Sequence, residues 1–166
     1  MYMSIYNKSS FKVDNDWNTP KYVWDIVMPY IPKDKQIWEA FYNDGSSGKY
    51  LTSKGYNVIH TDTDFFETDC GEIIITNPPY KIKGMVKTKE KILKRLLELD
   101  KPFMLLLPTT TLQTQYFKSL HNIHFQLLIP QTKYNFEKEE DKITRCPFYT
   151  LWVCYKMEFE RDYYII

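Results

Sequence analysis

The chain of 166 residues is short of the features that would place it quickly. It has five glycines, so neither a collagen-like repeat nor a glycine-rich linker is present. Three cysteines (Cys70, Cys146 and Cys154) form no Cys-x-x-Cys pair, which argues against a zinc ribbon or a dithiol redox centre and for free thiols in a reducing compartment. Only three histidines occur. His121 and His124 have helical spacing, but no cysteine or carboxylate cluster completes a metal site, so they read as a surface pair. Charge of one sign is missing too. A formal net charge of +1 says nothing for or against nucleic acid, and any such binding has to come from a local patch. The longest dense apolar run, FMLLLP, is far too short to span a bilayer. With no apolar signal region after Met1, the expectation is a protein without membrane contact in the cytoplasm or another intracellular reducing compartment.

What is present is a core: 43% of the residues are hydrophobic and 17% aromatic. A chain of this size and composition is expected to fold as one domain over 1–166, with residues 1–16 as an N-terminal arm. Thr19-Pro20 reads as a helix start, followed by Tyr22, Val23, Ile26 and Val27 on one helical face and closed by Pro29 and Pro32. QIWEAFY, NVIHTD, EIIITN, FMLLLP and FQLLIP read as strands. Helices are expected over Ser46–Lys54, Val86–Leu99 and Leu112–Leu120. KYNFEKEEDKITRC reads as a charged loop, FYTLWVCYK as a last strand, and Tyr163–Ile166 as a tail.

Strands alternating with helices imply an α/β fold with a mostly parallel sheet covered on both faces. Without a helix between them, the last two strands are expected to pair antiparallel. In such sheets ligands bind beyond the carboxyl ends of the strands, near the point where the strand order reverses. The first three strands end at Glu39-Ala40-Phe41, at Asp62 and at Asn77, so these three positions are expected side by side on one rim.

The third of these ends carries the most specific motif. Asn77-Pro78-Pro79-Tyr80 resembles motif IV of the class I S-adenosylmethionine-dependent amino-methyltransferases, several of which modify adenine N6 while relatives modify a glutamine side chain. Other pieces fall in a matching order. DWNTP looks like the Trp-x-Thr-Pro element of phage-type adenine methyltransferases, WEAFYNDGSSG like their cofactor loop, and HTDTDFF like the acidic motif after the next strand. The resemblance implies a Rossmann-like methyltransferase fold, S-adenosylmethionine as cofactor, and DNA as substrate, with RNA sharing every motif. Ala40 and Asn43 depart from the family pattern, which has Pro at position 40 and denser glycines. The usual helix and strand between the two acids Asp62 and Asp64 are absent, which leaves room for a sheet lacking one edge strand.

The resemblance assigns the catalytic role to Asn77, Pro78, Pro79 and Tyr80. It assigns cofactor contacts to Trp17, Thr19, Pro20, Glu39, Phe41, Tyr42, Asp44, Gly45, Asp62, Asp64, Phe65 and Asn77. Either Asp62 or Asp64 takes the ribose, with Phe65 against the adenine ring. Thr19-Pro20 either closes over the methionine part of the cofactor or merely starts a helix. Tyr80, Lys81, Lys83 and Lys87 are assigned to substrate, the lysines belonging to a run of six with Arg95 against Glu90 alone. That run has the ordinary alternative of a solvated helix face.

The chemistry fits these residue types. The exocyclic amine of adenine is a poor nucleophile because its lone pair is delocalised into the ring. An Asn side-chain oxygen and the Pro78 carbonyl can each accept one of its N–H groups, and two prolines fix the turn that presents them. No titrating base is needed in the first step, in keeping with no histidine near the motif in sequence. No separate target-recognition domain is visible, so either specificity is low, or residues 122–145 read the sequence, or a specificity partner supplies it; a homodimer is a further partner the reading leaves open. A protein glutamine methyltransferase is less favoured, because that group usually carries an extra N-terminal helical domain. A non-catalytic cofactor-fold module is the remaining alternative.

Overall fold

The run EIIIT is β-branched and continuous because it crosses the middle of a sheet covered on both faces. In the computed structural model, which describes residues 18–139, 142–144 and 148–166, it forms β3 (Ile73–Thr76), buried at every position. β4 (Phe103–Pro108), its parallel neighbour, is buried throughout as well. The other strands in chain order are β1 (Ile37–Trp38), β2 (Val58–Ile59), β5 (Phe125–Ile129), β6 (Phe136–Glu139), β7 (Lys142–Thr144), β8 (Thr150–Tyr155) and β9 (Tyr163–Ile165). Seven of them form one sheet in the order β2-β1-β3-β4-β8-β5-β9. β2, β1, β3 and β4 run parallel, β8 lies antiparallel between β4 and β5, and β9 runs parallel to β5.

Side chains alternate across the sheet, and each face has its own helices. On one face α1 (Lys21–Val27) and α2 (Ser46–Ser53) bring Val23, Trp24, Val27 and Leu51 onto Ile37, Ile75, Met104, Leu106 and Trp152. On the other, α3 (Thr88–Leu99) sets Ile92, Leu93 and Leu96 against Trp38, Ile74, Leu105 and Val153. Phe117 of α4 (Gln115–Ser119) stacks on Phe125 at 5.2 Å. This is the Rossmann-like arrangement expected of the sequence; the expected antiparallel strand is β8, and the chain goes on to β9, which runs parallel to β5. Beyond β2 the described chain adds no further strand, so the sheet stops there.

Several elements differ from the expectation. α1 begins after Pro20 without a side-chain cap, and its buried stripe centres on Trp24, whose indole N–H donates to Ser47 Oγ at 3.3 Å. Tyr22 instead turns outward, where its hydroxyl exchanges hydrogen bonds with the Asn135 backbone. Residues 109–120 split into a 3-10 turn and the short α4, because Thr114 leaves the helical conformation and its hydroxyl accepts the Phe117 N–H at 3.2 Å. The expected charged loop contains β6 and β7, paired antiparallel. The expected tail contains β9. Its approach is held by the Gln126 amide, which donates to the carbonyls of Phe159 (2.7 Å) and Arg161 (2.8 Å).

Cys70 and Cys154 are free thiols whose pKa values burial pushes up; Cys146 lies outside the described residues. Among the described residues no helix is long and apolar enough to cross a membrane.

Candidate active site at the strand tips

After β1 the chain crosses through α2 to β2 on one side, and after β3 it crosses through α3 to β4 on the other. β1 and β3 are parallel neighbours whose outgoing chains diverge, so their tips form the switch point at which such sheets bind ligands. The three expected strand ends therefore do lie on adjacent strands.

Asn77 is half-buried at the tip of β3, and its Nδ2 donates to Thr19 Oγ1 at 3.0 Å. Thr19, 7% exposed, is thus a partner of the Asn-Pro-Pro-Tyr turn and not a helix cap. Pro78 is buried and Pro79 half-buried, which fits a turn fixed by ring closure and packing together. Tyr80 meets the Phe148 ring edge-on, with centroids 5.5 Å apart.

The loop after β1 is clasped from the same side. Asn18 Nδ2 donates to Asp44 Oδ2 at 2.8 Å, and Asn43 Nδ2 donates to Asn18 Oδ1. Asp44 also accepts the Ser46 N–H at 2.9 Å, an Asx turn that starts α2. Residues 18 and 19 therefore bridge the glycine loop and the turn at Asn77. Trp17 lies outside the described residues. Gly45 has φ +81°, and a Cβ there would come within 2.8 Å of the Tyr42 hydroxyl. Gly48 lies inside α2, where a Cβ would collide with the His60 ring. The chain's own packing accounts for that glycine.

His60 is the functional candidate that sequence reading missed. Its ring stacks on Tyr42 at 4.9 Å, and its Nδ1 lies 2.7 Å from Glu39 Oε2 and 2.9 Å from the Glu39 carbonyl oxygen. The other carboxylate oxygen of Glu39 accepts the Thr76 hydroxyl at 2.6 Å. Burial by itself would push the His60 imidazole down. The hydrogen bond and charge of Glu39 outweigh it and hold His60 above its ordinary value. A histidine is thus joined, through Glu39, to Thr76, the residue before Asn77. Glu39, expected at the cofactor, is 2% exposed and turned inward.

Phe65 is likewise 3% exposed, stacked on Trp38 at 5.6 Å and against Phe41 at 4.9 Å. Its faces meet protein rings, so the expected contact with an adenine ring does not fit its place in the core. Asp64 uses Oδ1 to accept the Phe66 N–H at 2.8 Å, whereas Asp62 is exposed beyond the tip of β2. Lys81 and Lys83 are exposed on a turn that precedes α3. That turn is pinned by Thr88, whose hydroxyl accepts the Ile82 N–H at 3.1 Å. Lys87 pairs with Glu90 at 3.4 Å, and Arg95 reaches back to the Thr68 carbonyl. The basic run is therefore divided between the site's edge and the far side of α3.

No family profile matches the chain, and no curated protein does. Among solved structures, a SAM-dependent O-methyltransferase from Thermotoga maritima resembles it over 86% of this chain and 67% of its own, with 13% identity and a TM-score of 0.49.

Proposed function

We propose that the chain transfers a methyl group from S-adenosylmethionine to the exocyclic N6 amine of adenine in DNA. The observation that carries this reading is the Asn77-Pro78-Pro79-Tyr80 turn at the tip of β3, with the glycine loop past the neighbouring β1 and Asp62 past β2 on the same rim.

The donor set suits the cofactor. Asp62, exposed and at the tip of β2, is the carboxylate for two vicinal ribose hydroxyls, the role an acid plays in dinucleotide folds. The Phe41–Gly45 backbone would lie along the cofactor, with Asn18 and Thr19 linking that loop to the turn at Asn77. When bound, the cofactor supplies an electrophilic methyl group on a sulfonium.

Thr19 occupies the Asn77 amide nitrogen, which fixes the plane of that amide. Asn77 Oδ1 and the Pro78 carbonyl then take the two hydrogens of the target amine and turn its lone pair out of conjugation. Held in this way, the amine nitrogen would face that methyl group in line for transfer, and the proton it sheds afterwards would pass to solvent. Tyr80, with Phe148 at its edge, offers a ring against the base, an interaction worth about 1–3 kcal/mol. In a duplex the base has to leave the stack to reach this turn. Lys81 and Lys83 supply phosphate contacts at the same edge.

The choice of DNA rests on the Trp17-x-Thr19-Pro20 resemblance. The test is transfer of labelled methyl into unmethylated duplex DNA, single-stranded DNA, structured RNA and a glutamine peptide, with digestion to identify the product. N6-methyladenine in DNA is expected. Label in RNA alone moves the substrate to RNA, and label on the peptide alone moves it to protein.

A further inference from the structure

The exocyclic amine needs no titrating base, yet a buried carboxylate and an imidazole lie directly behind the turn that would hold it. A carboxylate as buried as Glu39 is costly unless paired. Its two partners come from two different strand tips: Thr76 at the end of β3 and His60 just past β2.

The backbone explains why such a tie is needed. β1 pairs through only two residues with each neighbour, Ile37 and Trp38, against Val58–Ile59 on one side and Ile73–Ile74 on the other. Past Trp38 the ladder gives one more bond, from the Glu39 N–H to the Ile59 carbonyl at 3.0 Å. Beyond that point the three tips are joined by side chains. The line runs from His60 through Glu39 to Thr76, and the next residue, Asn77, is held from the opposite side by Thr19. Room for the His60 ring exists only because residue 48 has no Cβ. Among the described residues the titratable side chains packed on that ring are Glu39, just past β1, and Tyr42 from the loop that follows, while α2 meets it with Gly48.

We propose that Glu39 and His60 are positioning residues for Asn77, forming with Thr76 a buried bridge across the tips of β1, β2 and β3 that sets how the Asn-Pro-Pro-Tyr turn leaves the sheet. Glu39 then acts from behind the site and not as a cofactor ligand. The catalytic consequence rests on the reading of Asn77 as the amine acceptor; the bridge itself does not.

The test follows the His60 imidazole and the Asn77 side-chain amide by NMR across pH, in the wild type, in Thr76→Val and in Glu39→Gln. In the wild type the Asn77 amide is expected to move with the His60 midpoint. In Thr76→Val that link is lost while His60 still titrates above its ordinary value, and in Glu39→Gln the His60 midpoint falls. Turnover by Thr76→Val drops by about tenfold to a hundredfold, as small misplacements do, with S-adenosylmethionine affinity nearly unchanged, and Thr76→Ser recovers most of the rate. An Asn77 amide indifferent to the His60 titration, or one that still follows it in Thr76→Val, overturns the bridge. A wild type that methylates no acceptor removes the methyltransferase reading, and the NMR titration still decides the bridge.

Discussion

The two halves of the main sheet are held by different means. β4 and β8 pair through six consecutive residues, and β8 pairs with β5 through four more. Trp152 sits fully buried at the centre of that half, with Trp24 of α1 5.7 Å away. The half made of β2, β1 and β3 has ladders of two residues on either side of β1, and its tips end in Glu39, His60 and Thr76. One half carries the long ladders, while aromatic side chains fill the core of both. The other has exchanged ladder for side-chain ties, and that exchange frees the strand ends to present polar groups. A short central strand is therefore a means of placing a site as well as a place of lower local stability.

Substitutions should separate the two halves cleanly. Trp152→Ala removes the largest side chain of the ladder-rich half and should cost about 3–5 kcal/mol in urea unfolding, enough to threaten the fold itself. A loss under about 1 kcal/mol would mean that the division is misplaced. Asp62→Ala, on the exposed tip of the other half, should leave unfolding within about 0.5 kcal/mol of wild type. It should weaken S-adenosylmethionine binding by about 1.5–3 kcal/mol in calorimetry. Unchanged binding would shift the ribose contact to Asp64.

The smallest effect is a pH dependence confined to the bridge. The folded state holds His60 above its ordinary value of 6.5, so it binds that proton more tightly than the unfolded chain. The contribution is complete below 6.5 and is lost as pH rises through the raised folded-state value. Urea midpoints should fall from mildly acid to mildly alkaline pH in the wild type and change less in Glu39→Gln. An equal fall in both would assign the dependence to other groups.

The legible parts of the sequence were those where composition and geometry agree. β3 could be read because a continuous β-branched run ends abruptly on an amide and two prolines. β4 could be read because all six residues are apolar. The doubly covered sheet followed from the alternation of elements. Other features depend on where a ladder stops or on distant partners. Glu39 reads as an acid at the end of the strand QIWEAFY, yet β1 stops at Trp38 and Glu39 turns inward to Thr76 and His60. Phe65 follows an acid as a cofactor-stacking ring would, but Trp38 and Phe41 claim its faces. β6 and β7 lie in a run dominated by charge, and β9 is three residues long, too short to show a period. Asn18 stands at the variable position of the Trp-x-Thr-Pro element, where nothing local shows that it binds both Asn43 and Asp44.

The most direct measurement compares wild type with Asn77→Ala for methyl transfer to DNA and for S-adenosylmethionine affinity on the same preparations. Transfer should fall at least about a hundredfold, the scale set by loss of a preorganised hydrogen-bonding group, with affinity changed by less than about threefold. Full transfer by Asn77→Ala would contradict the account, because the strand-tip amide would then not be the group that holds the reacting amine.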